Sequence, residues 1–409
     1  MIALRGSRWF DGERFSAGPA TMLIDGGKII GREDGYPDLG DPWQVVEYDD
    51  ATIIPGLFDC HVHLVADSQF GALDRVPGLD DEQLDAVVAQ SLRDQLAAGV
   101  TTVRDLGDRR YAVLGHRDRQ WDAEIDPEPG IVAAGPPLTT PRGHCYFLGG
   151  EVDDEAAIRM SISEHAQRGV DVIKVMASGG ASTAGTDLTG TQFTTEQLQL
   201  IVDLAHAAGL PVTAHAHALV AIEQCVDVGV DGIEHCSGMT ATGVELPDAL
   251  VGRIAERGIA VSGLVPAPVD MDLSQAPPAL QDFVRRTGLT PQRAFAFRTD
   301  LIRRLHRHGV PVVVGNDSGL GPFLKHGRLH LGLSLLSAAG LSNAEVLAAA
   351  TSRAAEVCGL GTRKGRLTAG FEADLVVVDG DLAADLDAIQ RVRTVIRAGR
   401  LVPLSGAAA

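Results

Sequence analysis

The chain has 409 residues, of which 45% are hydrophobic and 22% are charged, and its formal net charge is -19. This composition is typical of a globular protein, and the length allows one large domain plus a smaller one. A surface this negative repels phosphate backbones and anionic lipid, which argues against nucleic-acid and membrane partners.

The first fifty residues predict β-structure. Apolar runs at Met22–Ile24 and Lys28–Ile30 flank Asp25-Gly26-Gly27, a turn signal typical of a β-hairpin. We expect neither a signal peptide nor a membrane span. The five cysteines are scattered without a CxxC pair, which is typical of a reducing compartment. We therefore expect a cytoplasmic protein.

The middle of the chain alternates between two patterns. Short β-branched runs predict strands at 52–58, 100–104, 130–133, 171–176, 211–215, 230–234, 259–262 and 310–315. Helices are predicted at 80–98, 153–168, 194–208, 242–257, 291–308 and 343–358. Thr194 and Gln197 form a capping-box signal at the start of one of them. Eight strands alternating with helices predict a parallel (β/α)8 TIM barrel.

The C-terminal fifty residues again predict strands, at 373–379 and 392–399, before a frayed tail at 405–409. Both ends of the chain are therefore rich in β-structure. The simplest arrangement is an α/β protein in which residues 1–54 and 360–409 form a small β-sandwich domain. The barrel, residues 55–359, is inserted between them.

Groups able to bind a metal stand at the ends of several predicted strands. His61 and His63 can place both imidazoles on one side of a strand, because residues i and i+2 point the same way. Imidazole suits zinc and similar ions, although an HxH pair alone is also compatible with ordinary core or surface histidines. Later strands end in further candidates: His215, His217, His235 and Asp317.

Three long segments, 135–152, 177–193 and 263–290, also follow predicted strands. In a barrel of this kind the loops after the strands build the functional face. We therefore expect these segments to surround the candidate ligands.

Lys174 lies inside an apolar predicted strand, where an ammonium group is costly unless it is paired or neutralised. Two interpretations remain open from local sequence. In the first, its stem lies along the barrel wall and its head pairs with an acid. In the second, a neutral amine reacts with carbon dioxide to give a carbamate, an anionic oxygen donor that can bridge two metals.

The chain resembles the amidohydrolase superfamily of binuclear metal-dependent hydrolases. The similarity is carried by PGLFDCHVHL, VIKVMASGG, VTAHAHA, GIEHCSG, GNDSG and GRLTAGFEADLVVVD. Within it, the segment Pro141–Gly150 is similar to that of the imidazolonepropionase-like group that includes Xaa-Pro dipeptidases. The resemblance implies two divalent ions, expected to be Zn²⁺, and this ligand set: His61, His63 and Asp317 for the first ion, His215 and His235 for the second, and Lys174, carboxylated by carbon dioxide, as the bridge.

The implied reaction is hydrolysis of an amide bond by a metal-bridged hydroxide, with Asp317 as proton shuttle. The expected substrate is a dipeptide, of which Xaa-Pro is one option, or an N-acyl amino acid. Alternatives are opening of a cyclic amide, and hydrolysis of a xenobiotic or mycotoxin amide, ester or carbamate. The non-enzyme alternative is an inactive oligomeric scaffold. Lys174 argues against a deaminase.

Four residues are predicted to contact a small-molecule or dipeptide substrate. His144 is expected at the substrate or the transition state, and His217 in the pocket on the same face as His215. Tyr146 is equally compatible with packing. Arg142 could pair with a substrate carboxylate, or be a solvated loop residue. By analogy with the family, a homo-oligomer is expected.

Overall fold

The structure is a computed structural model that describes residues 1–119, 127–264, 274 and 276–403. The strands are β1 (Ile2–Phe10), β2 (Phe15–Asp25), β3 (Lys28–Asp34), β4 (Gln44–Pro55), β5 (Leu57–Val62), β6 (Val100–Asp105), β7 (Gly130–Ala133), β8 (Ile173–Met176), β9 (Val212–Ala218), β10 (Gly232–Thr240), β11 (Gly243–Val244), β12 (Ala260–Ser262), β13 (Leu375–Asp379), β14 (Val392–Arg397) and β15 (Arg400–Val402). The α-helices are α1 (Ala72–Arg75), α2 (Asp81–Ala97), α3 (Ala112–Asp118), α4 (Glu155–Arg168), α5 (Thr195–Ala207), α6 (Leu219–Val228), α7 (Asp248–Glu256), α8 (Pro278–Thr287), α9 (Pro291–Arg307), α10 (His330–Ala338), α11 (Asn343–Ala349) and α12 (Ser352–Val357).

Strands from both ends of the chain join in one seven-stranded sheet, in the order β15-β14-β13-β4-β1-β2-β3. The predicted hairpin is present, since β2 and β3 pair antiparallel with Asp25 opposite Lys28. The sheet has a core of its own that includes Trp9, Met22 and Val377. The sandwich arrangement and the domain bounds at 54/55 and 359/360 stay predictions. The predicted tail, 405–409, lies outside the described residues.

A buried ion cluster joins the segment before β13 to the end of β14. Asp374 accepts hydrogen bonds from Lys364 Nζ, from Arg397 Nη1 at 3.0 Å and from the Ala398 amide at 2.7 Å. Burial by itself would raise the pKa of Asp374, but the charges of Arg397 and Lys364 outweigh it and hold the pKa below its usual value.

We expect Asp374→Asn to destabilise the protein by roughly 3 kcal/mol at pH 7, because it removes the buried anion and leaves Lys364 and Arg397 with Glu372 as the remaining acid of the cluster. A lowered folded-state pKa contributes stability above the unfolded-state pKa of about 3.9, and this contribution is lost as the pH falls through the folded-state value. The difference between the two proteins in urea midpoint should therefore shrink from pH 7 to about pH 3. Asp379→Asn, which breaks an exposed pair between the last residue of β13 and Arg393 of β14, is the matched control. A pH-independent difference would contradict the assignment.

The second part of the molecule is a barrel-like α/β domain of parallel strands alternating with helices. Strands β5, β6 and β7 form one parallel sheet, while β8, β9, β10 and β12 form another. The two are linked at one side by the Asp171 amide, which donates to the Ala133 carbonyl at 2.9 Å. The predicted parallel, alternating pattern is confirmed for these strands.

The strand predicted at 310–315 is not assigned as a strand, and the reason is visible in its hydrogen bonds. Val312 makes an isolated parallel bridge with Val261, and the Cys60 amide of β5 donates to the Val314 carbonyl at 2.9 Å. The Val314 amide, however, donates to the Ala349 carbonyl at 3.0 Å, and the Phe58 amide donates to the Ala350 carbonyl at 2.8 Å. The end of α11 therefore interrupts the ladder that these two segments would otherwise form.

The predicted helices at 80–98, 153–168, 194–208 and 291–308 are confirmed as α2, α4, α5 and α9, and the Thr194 capping box is present. Two predictions were wrong in extent. The helix predicted from 242 begins at Asp248, because Gly243 pairs with Thr240 in a β-hairpin. The helix predicted over 343–358 is divided at Ala350 and Thr351 into α11 and α12. Within the described residues, none of the helices combines the length and apolarity needed to cross a bilayer.

Candidate metal centre

The side chains predicted as metal ligands line one cavity of about 570 Å³ at the ends of the parallel strands. They come from β5, β8, β9, β10 and the segment after Val314, and they are the following: His61, His63, Lys174, His215, His235 and Asp317. Parts of all three predicted loops, 135–152, 177–193 and 263–290, also line the cavity. Residues 265–273 and 275 of the third loop lie outside the described residues.

His61 and His63 converge on one carboxylate. Their Nε2 atoms lie 3.3 and 3.2 Å from Oδ1 of Asp317, which is buried. Burial alone would raise the pKa of Asp317, but the neighbouring charge of His61 and the hydrogen bond from His63 outweigh it, so the net pKa is lowered. Asp317 is therefore an ionised carboxylate facing two imidazole nitrogens.

Two groups of side chains have ligand atoms within 4.8 Å of one another, and they share His235. One consists of His61, His235 and Asp317, and the other of His215, His217 and His235. The second group includes His217, which was predicted as a substrate contact rather than as a ligand. Five of the predicted site residues thus form two adjoining sets of nitrogen and oxygen donors.

Each predicted histidine ligand uses one ring nitrogen in a hydrogen bond and leaves the other for the cavity. Nδ1 of His63 lies 3.2 Å from the Gly107 carbonyl, and Nδ1 of His235 lies 2.8 Å from the Gly263 carbonyl. His215 uses Nε2, which lies 3.2 Å from the Gly179 carbonyl. Acceptors of this kind set the tautomer and orientation of metal-binding imidazoles.

Lys174 is buried on β8, and its Nζ has no hydrogen-bond partner among the described residues. Burial lowers the pKa of Lys174 to about 8. The first interpretation left open by the sequence requires an acid within bonding distance of Nζ, and the described residues place none there. An amine of this pKa is partly neutral near pH 7 to 8, which is the form that can react with carbon dioxide.

Behind the histidines lies a buried ion pair that was not predicted. Glu234 accepts from Nδ1 of His61 at 2.9 Å, from Arg104 Nη2 at 2.9 Å and from the Thr213 hydroxyl at 2.6 Å. Burial would raise the pKa of Glu234, but the charge of Arg104 leads the effects that bring it well below its usual value. The carboxylate therefore remains ionised and directs Nε2 of His61 towards the cavity.

We expect Glu234→Gln to weaken metal binding by about 10- to 100-fold, because it removes the anionic acceptor that orients His61. Competition with a chromophoric chelator measures this affinity directly. The control is Glu245→Gln, since Glu245 is exposed and directly follows β11, the strand that pairs with β10. Equal metal affinity of Glu234→Gln and the unsubstituted protein would show that the acid does not orient a ligand.

A second buried acid holds the backbone around Asp317. Asp59 accepts from the Asn316 amide at 3.1 Å and from the Ser318 hydroxyl at 2.9 Å, and burial raises the pKa of Asp59 to about 6. Asp317 has a left-handed φ of 58°, as does His235 with 69°. Such strain in non-glycine residues persists where the surroundings enforce it, and it is common at functional sites.

The four predicted substrate contacts separate into two pairs. His144 and His217 line the cavity, whereas Arg142 and Tyr146 are exposed and lie outside its lining. Nδ1 of His144 lies 2.9 Å from the Thr183 hydroxyl, and burial lowers the pKa of His144 to about 3. His144 is therefore a neutral imidazole close to the ligand cluster. The structure brings neither Arg142 nor Tyr146 to the cavity.

Sequence reasoning missed other parts of the lining. Phe70 and Phe323 are 58% and 42% exposed, although both line the cavity, so they present apolar surface at its open side. Arg298 on α9 also lines it. Its signal in the sequence is its position, because it precedes Leu301, Ile302 and Leu305 on the apolar stripe of the helix.

Comparison with known proteins places this geometry in context. The sequence model of the amidohydrolase family matches residues 52–402. Ochratoxinase from Aspergillus niger is 25% identical over 374 residues, which cover 84% of this chain and 73% of that protein. Imidazolonepropionase from Mesorhizobium japonicum is 27% identical over 392 residues, covering 87% and 85%. A solved prolidase complexed with N-methylphosphonate-L-proline superposes with a TM-score of 0.80 and 27% identity, covering 98% and 99%.

Proposed function

Because this chain belongs to the amidohydrolase family, and is thereby a metal-dependent hydrolase that acts on carbon–nitrogen bonds, we propose that it cleaves the amide bond of a dipeptide or an N-acyl amino acid. The observation that carries the proposal is the meeting of four histidines, Lys174 and Asp317 around one cavity. An Xaa-Pro dipeptide is one member of this substrate class.

The donor set fits two divalent ions. We assign His61, His63 and Asp317 to one ion, His215 and His235 to the other, and Lys174 as a carbamate to both. Imidazole and carboxylate suit zinc, which is the metal we propose. A pair of such ions makes bound water acidic near neutral pH and polarises a carbonyl oxygen. This fit is supported by Nζ of Lys174, which has no partner among the described residues, and by Oδ1 of Asp317, which lies beside the Nε2 atoms of His61 and His63.

We assign the proton transfer in this reaction to Asp317. Its ionised carboxylate faces the cavity and can accept a proton from the attacking water. The same carboxyl group can then protonate the leaving amine, as general base followed by general acid. His144 and His217 are neutral at pH 7, because burial lowers their pKa values to about 3 and about 4. They can therefore hold the substrate amide through uncharged ring nitrogens.

The cavity supports a substrate with an apolar part. Phe70, Phe323, Leu73 and Met239 contribute to its lining, and such surfaces bind apolar groups with little directional preference. The prolidase neighbour binds a proline derivative, which supports an amino acid as the leaving group. The similarity to ochratoxinase, together with Phe70 and Phe323 at the open side of the cavity, favours a mycotoxin amide as the second candidate.

The test is a screen of metal-loaded, bicarbonate-supplied enzyme against dipeptides and N-acyl amino acids, with cyclic amides and mycotoxin amides as competing classes. We expect release of a free amino acid, and loss of this activity after chelation of the metals. Turnover of cyclic amides alone would overturn the proposal. Stoichiometric metal in the purified protein would separate an enzyme from the scaffold alternative. A homo-oligomer and a cytoplasmic location remain proposals from the sequence.

A further inference from the structure

Arg298 is a cation at the wall of the cavity, and no ion pair joins it to another of the residues that the structure describes. Among the described residues that line it, Lys174 and Arg298 are the two with a lysine or arginine side chain. The residue as a whole is partly exposed, but its Nη1 is buried and has no hydrogen-bond partner within the described chain. An unpaired buried donor of this kind costs free energy unless a ligand satisfies it.

The charge of Arg298 is retained in this environment. Burial lowers the pKa of Arg298 to about 10, which is still far above neutral pH. Its neighbours on the same face of α9, Leu301 and Ile302, are buried and apolar. Arg303 and Arg304, on the same helix, bond to Asp300 in the preceding turn. Among the described residues Arg298 has no such acid partner, and it lines the cavity instead.

Arg298 also lies close to the candidate metal ligands. Its charge is one of those that act on His217, whose ring is 4.6 Å from that of His235 between centroids. A group bound to Arg298 can thus belong to the same small molecule as an amide held among the histidines. The guanidinium presents parallel N–H donors that match the two oxygens of a carboxylate.

We infer that Arg298 binds the free carboxylate of the substrate and thereby selects amides that carry an acidic group. The inference rests on the proposed function and names the residue that recognises the carboxylate shared by its two substrate classes. It also replaces Arg142 as the residue that recognises the carboxylate, because Arg142 is exposed outside the cavity lining.

Two substrates that differ only at this group test the inference. Metal-loaded enzyme is assayed for benzoate release from N-benzoyl-L-leucine and from N-benzoyl-L-leucinamide. We expect Arg298→Gln to lower kcat/KM for the acid about 100-fold, mainly through KM, and to change that for the carboxamide by less than about 3-fold. Arg298→Lys should retain part of the preference, since it keeps the charge but not the planar donors. Arg303→Gln, on the same helix, is the matched control.

If Arg298 only neutralises another acid of the chain, Arg298→Gln should lower the rates with the acid and with the carboxamide equally. Equal losses would overturn the inference. Hydrolysis of both substrates with no preference in the unsubstituted enzyme would also overturn it while leaving the proposed function intact. If neither substrate is hydrolysed, the proposed function fails for this class. Calorimetry of N-benzoyl-L-leucine binding to Asp317→Asn, with and without Arg298→Gln, then decides the carboxylate site separately. Binding that Arg298→Gln weakens supports it, and equal or undetectable binding overturns it.

Discussion

Lys174→Ala is expected to lower metal content and turnover together. Nζ of Lys174 has no partner among the described residues, and burial lowers the pKa of the amine to about 8. If its carbamate bridges two ions, removing it takes away one donor from each. The loss of metal-supplied stabilisation, several kcal/mol, corresponds to a fall in kcat on the order of 10³-fold or more. Metal content by mass spectrometry and kcat under bicarbonate are the two measurements.

Two further variants separate this role from a packing role. Lys174→Met keeps most of the side-chain volume but cannot form a carbamate, so it should resemble Lys174→Ala in metal content. Propionate, which supplies a small carboxylate, should restore part of the metal content and rate of Lys174→Ala but not of Lys174→Met. Lys325→Ala, at an exposed position, is the matched control. Full metal occupancy in both Lys174 variants would rule out the bridging role.

Asp317→Asn is expected to reduce kcat by about 10²- to 10⁴-fold, the contribution usual for a positioned general base and acid. The amide keeps the shape of the side chain but cannot accept the proton. Since the hydrogen bonds of Asp59 to the Asn316 amide and the Ser318 hydroxyl hold the surrounding backbone, the fold should be preserved. Steady-state kinetics and thermal unfolding are measured on the same preparation.

The control for Asp317→Asn is Asp248→Asn. Asp248 is an exposed carboxylate that also pairs with a cation, Arg304, at 2.9 Å. The Asp248→Asn substitution should leave kcat unchanged. Metal content must be measured alongside, because Asp317 is also a proposed ligand. Turnover close to that of the unsubstituted enzyme, with full metal content, would refute the proton-shuttle assignment.

Features determined by short stretches of chain were predictable. The histidine pair at His61 and His63 follows from the period of a strand, and the capping box at Thr194 follows from residues three positions apart. The proximity of His61 and His63 to Lys174 and Asp317 was implied by the family resemblance, and all four residues line the same cavity. The family itself is confirmed by the match over residues 52–402.

Features that depend on contacts between distant segments were not predictable. Arg104 and Glu234 are 130 positions apart, so their ion pair is apparent only when β6 and β10 are placed together. A charged residue inside each buried strand was the available signal. The prediction of a strand at 310–315 was wrong for a similar reason, because the Ala349 carbonyl accepts from the Val314 amide. Nothing within 310–315 indicates that competitor.

The end of α11 has a consequence for how the chain can vary. The Ala349 carbonyl accepts from the Val314 amide, and the Ala350 carbonyl accepts from the Phe58 amide of β5. Phe58 lies three positions before His61. A homologue with a shortened connection to α12 would have to supply two replacement acceptors at that place. The length of the connection between α11 and α12 is thus constrained by its hydrogen bond to β5, the strand that carries His61, although neither alanine has a reactive side chain.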